Sequence, residues 1–133
     1  MEENVPHLII EYSANLDAHV DIADACEVLR QAMIETGIFP RAGIRVRAHR
    51  VDAFAMADGD PQNSFAHLSV RIGAGRDLAA RQAAGAMLMQ TAQTIFAAEL
   101  LTGYFALSLE ITEIDAQTSW KTNPIHARLS ATP

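Results

Sequence analysis

The sequence holds a single cysteine, Cys26, in 133 residues. One thiol excludes an internal disulfide and any cysteine-rich zinc site. Cations are scarce too: ten Lys and Arg stand against sixteen Asp and Glu, for a formal net charge of −6. A general nucleic-acid binder needs a basic footprint, and aromatic residues at 6% supply no stacking stripe either. No apolar run approaches the ~20 residues of a membrane span. No apolar segment follows the acidic start Met1-Glu2-Glu3, as a secretory signal would require. The expectation is a soluble cytoplasmic chain with neither nucleic acid nor membrane as partner. Seven glycines and five prolines fall singly, so nothing reads as a linker or as low complexity. Half the residues are hydrophobic, and a single domain of this size buries roughly two-thirds of the surface its unfolded chain exposes.

What is present is patterned. Leu8, Ile10 and Tyr12 share one face of a strand, and Ala14 to Asp17 supply a turn with possible helix caps. Ile22, Cys26, Leu29 and Met33 form a helical stripe in a helix expected from Ala18 to Thr36, ended by Gly37 and Pro40. Ile44, Val46 and Ala48 read as a second strand. The apolar phase flips past Arg50, which predicts a bulge or bend. Asp58-Gly59-Asp60-Pro61 is a turn, and Ala66, Leu68, Val70 and Ile72 line a third strand. Asp77 is placed to cap a second helix, from about Leu78 to Leu101, whose apolar residues spread around most of its circumference. Gly103 ends it, Phe105 to Ile111 alternate as a fourth strand, and Ile125 to Leu129 suggest a short fifth. His7-Leu8 recurs as His67-Leu68 and Gly43 as Gly103, both 60 residues on. A duplicated βαβ unit follows: an α/β (α+β) fold with a four-stranded mixed sheet and two helices on one face. A bare apolar sheet face and an over-apolar helix predict an oligomer.

Candidate chemistry is sparse when read residue by residue. His7, His19, His49, His67 and His126 show no zinc-binding spacing. Gly73-Ala74-Gly75 lacks the full dinucleotide or P-loop spacing and reads as a turn. Cys26, Met87 and Met89 read as packing residues, and Glu11 as a surface charge.

Four separated segments, taken together and in order, resemble the 5-carboxymethyl-2-hydroxymuconate isomerase family of the tautomerase superfamily. They are Pro6-His7-Leu8-Ile9-Ile10-Glu11-Tyr12-Ser13, Thr36 to Arg45 with Gly43-Ile44-Arg45, Met56-Ala57-Asp58-Gly59, and Ile72-Gly73-Ala74-Gly75-Arg76. The resemblance spans Pro6 to about Leu129. It implies a tautomerase-like homotrimer that isomerises an unsaturated 2-hydroxy or 2-oxo carboxylate, without cofactor or metal. By the same resemblance, the secondary amine of Pro6 is the base. Arg45 and Arg76 hold the substrate carboxylates. Outside the resemblance, Arg41 and Arg47 are candidate secondary substrate contacts, against the plainer reading of solvated surface cations. Those residue types suit proton transfer along a conjugated acid. A base works best with a pKa near the working pH, and arginines both lower an amine's pKa and stabilise a developing oxyanion.

One departure bears on the base. Met1 to Val5 precede Pro6, so its nitrogen is an amide as written. The expectation is that residues 1–5 are an extension to a single domain, 6–133, and that the active form begins at Pro6. A GTG codon at Val5, read as a start, would produce it. The alternative is a trimeric anion-binding homologue in which Pro6 stays blocked.

Overall fold

The computed structural model describes residues 5–130. Most of the expected extension, residues 1–4, and the last three residues lie outside the described residues. Four strands form one sheet: β1 (His7–Ser13), β2 (Arg45–Val51), β3 (Ser64–Gly73) and β4 (Phe105–Ile114), in the order β2-β1-β3-β4. β1 runs parallel to β2 and β3 parallel to β4, while β1 and β3 are antiparallel at the centre. The expected duplicated βαβ architecture is therefore present. The crossovers are α1 (Ile22–Glu35) and α2 (Leu78–Ile95). A short α3 (Ala97–Leu100) and α4 (Pro124–Ser130) complete the helices.

The alternation read in the sequence sets the core. Leu8, Ile10, Ala66, Leu68, Val70 and Ile72 are fully buried, as are Leu29 and Met33 of α1 and Leu88 and Ala92 of α2. Period-2 strand faces and period-3.6 helix faces meet there. The far end of the sheet is tied by polar groups. Buried Ser13 accepts from the Phe65 N–H at 2.9 Å, and Asn15 donates to the Asn63 carbonyl at 2.9 Å.

Several boundaries differ from the expectation. Ala14–Ala18 is a 3₁₀ turn, and α1 starts at Ile22 because the Asp21 carboxylate caps the Asp24 N–H at 3.0 Å. β2 pairs with β1 residue for residue from Arg45 to Val51, so the phase flip produces no bulge. Ala53 and Ala55 simply lie in the loop beyond the strand. α2 stops at Ile95, since Phe96 leaves helical geometry (φ −102°, ψ 24°). Asp77 does cap α2, accepting from the Ala80 N–H at 2.8 Å. The tail forms α4 rather than a fifth strand: Pro124 suits a first helical turn, and Asn123 caps it by accepting from the Ile125 N–H at 3.1 Å.

The sheet face away from α1 and α2 is also unlike the expectation. It carries His7, Ile9 and Glu11 from β1, Arg45, Arg47 and His49 from β2, His67, Ser69 and Arg71 from β3, and Ser108, Glu110 and Thr112 from β4. It is mostly polar, with Ile9, Val51, Phe65, Ala106 and Ile114 as its apolar members, because most apolar alternate residues face the helices. Much of the apolar spread around α2 is alanine, a strong helix former that tolerates exposure.

Leu68 is fully buried on a central strand. Leu68→Ala should cost about 2–5 kcal/mol, read as a lower urea midpoint at unchanged slope.

Candidate active site

The sheet topology brings the starts of β1 and β2 together with the ends of β3 and β4. A cavity of about 320 Å³ opens there, lined by Val5, His7, Arg45, Gly73, Ile114, Ala116, Ser119, Trp120 and Lys121. That volume falls at the lower end of small-molecule sites. The segment after β4 forms one wall. Asn123 fastens it by donating to the Ala42 carbonyl at 3.1 Å.

Pro6 is fully buried between two residues of the cavity wall, and its carbonyl accepts from the Arg45 N–H at 3.1 Å. That bond starts the β1–β2 ladder and sets Arg45 beside His7. In the chain described, the Pro6 nitrogen is a tertiary amide. Arg45 lines the cavity, and one of its guanidinium nitrogens donates to the Gly43 carbonyl at 3.1 Å.

Arg76 is engaged differently. Its Nε and Nη2 donate to the Ile38 carbonyl at 3.0 and 2.6 Å, and Nη1 to the Gly73 carbonyl at 3.1 Å. The guanidinium also stacks over Phe39, 5.2 Å from the ring centroid. It ties the loop before α2 to the turn after α1 and touches the cavity through Gly73. Three of its five N–H groups are used, which leaves two. Burial lowers its pKa. Arg41 sits elsewhere, in a shallow hollow with Pro40, Ala42, His126, Leu129 and Ser130. Pro6 and Arg45 are thus brought together, Arg76 is adjacent, and Arg41 is apart.

The electrostatics are one-sided. Arg30, Arg50 and Arg81 face carboxylates, at 2.6 Å (Glu27), 3.1–3.2 Å (Asp52 and Asp17) and 4.0 Å (Glu113). Arg45, Arg47, Arg71 and Arg76 face none among the described residues, despite the net charge of −6. Burial, then Arg47, Arg45 and Arg71, push the His7 pKa below its ordinary value. Sequence reasoning missed Trp120 and Lys121 as wall residues. They sit in a stretch without periodicity, and Trp120 is 86% exposed. Among the described residues, no cluster of three His, Cys, Asp or Glu side chains is placed to hold a metal ion.

Comparison with known proteins identifies the family. The family model described as 5-carboxymethyl-2-hydroxymuconate isomerase matches residues 6–129. A 5-carboxymethyl-2-hydroxymuconate Delta-isomerase of Escherichia coli is 42% identical over 123 residues, covering 92% of this chain and 98% of the relative. A crystal structure of a 5-carboxymethyl-2-hydroxymuconate isomerase from Deinococcus radiodurans R1 superposes with a TM-score of 0.89 at 37% identity, covering 96% of each chain. A fused 4-OT described as an asymmetric trimer shares the fold alone, at 17% identity and a TM-score of 0.67 over 92% of this chain and 98% of its own. The fold is that of the tautomerase superfamily, and the chain belongs to its 5-carboxymethyl-2-hydroxymuconate isomerase family.

The His7 shift has a stability consequence. Its folded-state pKa lies below the unfolded value, so the unfolded chain binds more protons in the interval between the two. Stability should therefore fall as pH drops below about 6.5, and level off below the lowered folded pKa. His7→Gln should lose less stability than the unsubstituted protein between about pH 7 and pH 5, read by urea denaturation at each pH.

Proposed function

We propose that this protein is an isomerase for an unsaturated 2-hydroxy or 2-oxo carboxylate of the 5-carboxymethyl-2-hydroxymuconate class. The observation that carries the reading is a cavity at the start of β1, bordered by Arg45 and neighboured by three further arginines that face no carboxylate among the described residues. Uncompensated guanidinium groups at a concave site suit a multiply charged carboxylate. On this reading Arg45 grips one carboxylate and the two remaining N–H groups of Arg76 reach another. Lys121 adds a cation at the wall, and Arg41 contributes only to the long-range potential.

The base is the amine of Pro6, once nothing precedes it. The hydroxyl of a dienol gives its proton to that amine. The O–H electrons become a C=O bond as the conjugated double bonds shift. The resulting ammonium proton then forms a C–H bond further along the chain. The step is redox-neutral, and its proton is returned. Arg45 and Arg76 hold the oxygens on which charge develops. The catalytic unit is a cytoplasmic homotrimer. Exposed apolar side chains such as Leu78 at 58% and Leu101 at 88% supply surface for the contacts between subunits. Sedimentation should give about three times the 14.4 kDa chain mass.

The decisive experiment is an ultraviolet assay on 5-carboxymethyl-2-hydroxymuconate, run with the 133-residue chain and with protein beginning at Pro6. Turnover is expected from the second and not from the first, with matching thermal melts. Saturable binding without turnover in both would instead favour a non-catalytic anion binder. Arg45→Ala in the active form should lower kcat/KM at least about tenfold, and an unchanged value would remove Arg45 from the site.

A further inference from the structure

His7 opens β1 and lies level with Arg45 on β2 and Arg71 on β3. It also forms part of the cavity wall. Its Nδ1 is 3.0 Å from Nη1 of Arg47. A guanidinium carries donors only, so the nitrogen it meets is an acceptor, without a proton. The ring is then neutral with its proton on Nε2. Protonating Nδ1 would break that bond and set an imidazolium among three arginines. Among the described residues no carboxylate offsets them: the charged groups acting on the ring are Arg45 and Arg47 from β2 and Arg71 from β3.

His67 occupies the corresponding place in the second βαβ unit and shows the contrast. Its Nδ1 meets the Ser108 hydroxyl at 2.6 Å and its Nε2 meets Glu110 at 3.3 Å. The Glu110 carboxylate accepts from Nε2, and the Ser108 hydroxyl donates or accepts, so both contacts hold with or without a proton on Nδ1, which the guanidinium contact of His7 does not allow.

We propose that His7 is a catalytic residue of this site: a neutral imidazole whose Nε2–H donates to an oxygen of the bound unsaturated carboxylate, with Arg47 as the positioning residue that fixes the tautomer. The proposal rests on the reading of the cavity as the substrate site. Neutrality matters chemically. An imidazolium beside a dienolate oxygen would compete to protonate it and return the dienol. A neutral N–H stabilises the same charge while keeping its proton, which leaves the Pro6 ammonium to deliver one to carbon.

Nitrogen-15 NMR of the full chain, labelled at its five histidines, reads the tautomer directly, with His7→Gln assigning the resonance. The expected signal is neutral and Nε2-protonated at about pH 7. Arg47→Ala should give a tautomer mixture that protonates at higher pH. Adding 2,4-hexadienedioate, an unsaturated dicarboxylate without the reactive hydroxyl, should shift the His7 Nε2 signal. In the form that turns over, His7→Leu should lower kcat/KM at least about tenfold, while His7→Gln, which keeps an N–H donor, stays within about threefold. Arg47→Ala should raise the acid limb of the pH–rate profile. A His7 signal that is Nδ1-protonated or cationic at neutral pH overturns the proposal, as does full activity in His7→Leu. Should unsubstituted protein beginning at Pro6 show no isomerisation, the function reading falls by itself. The dicarboxylate titration then judges His7: a shifted Nε2 signal upholds its contact with an anion, and an unmoved one overturns it.

Discussion

Strand β1 is held between a parallel partner and an antiparallel one, and the site depends on that double pairing. The parallel ladder with β2 sets Arg45 level with His7, and the antiparallel ladder with β3 sets Arg71 on its other side. Both registers are enforced by the opposite face, where Leu8, Ile10, Leu68 and Val70 are fully buried. A slip of one residue would turn those side chains away from α1 and α2 and carry the arginines into the core. The core thus fixes the placement of charge on the face it does not occupy.

That placement carries an energetic cost. Partly buried guanidinium groups lose hydration and, beside one another, repel. Arg76 offsets part of this through carbonyls and an aromatic ring: its hydrogen bonds to Ile38 and Gly73 and its stacking on Phe39 replace water. Arg45 has the Gly43 carbonyl, and Arg47 has the His7 ring. None of these partners bears a negative charge, so the local excess of positive charge remains. A multiply charged carboxylate would relieve it on binding. On the proposed reading, stability given up to this repulsion becomes affinity for an anion.

Much of the fold was legible in the sequence, because alternation in the strands and the stripe in α1 report burial directly. The misreadings came where local signals compete. Ala18 to Val20 continue an apolar pattern, yet Asp21 caps the first turn, so α1 starts later. Ile125 and Leu129 suit a strand face or a helix face alike, and Pro124 with the Asn123 cap decides for the helix. The site was legible only in part. Pro6, Arg45 and Arg76 stand out through motifs whose meaning comes from resemblance, whereas spacing alone offered a strand-initiating proline and surface cations. Trp120 and Lys121 could not be read at all. They reach the cavity because Asn123 fastens their segment to Ala42, a contact spanning 81 residues of sequence.

The constraint at Pro6 is tighter than the loss of a basic nitrogen. Its carbonyl is committed to the Arg45 N–H, so the ring cannot shift without disturbing the first rung that positions Arg45. Val5 is 7% exposed and forms part of the cavity wall. A residue before Pro6 therefore acts twice: it converts the amine to an amide, and it takes up wall space where a substrate oxygen would approach. Removing it would restore the lone pair and free that wall space, and the Pro6 carbonyl would keep its acceptor role toward the Arg45 N–H. On the proposed reading, base strength, access and alignment with Arg45 would thus all be decided at the single bond between Val5 and Pro6.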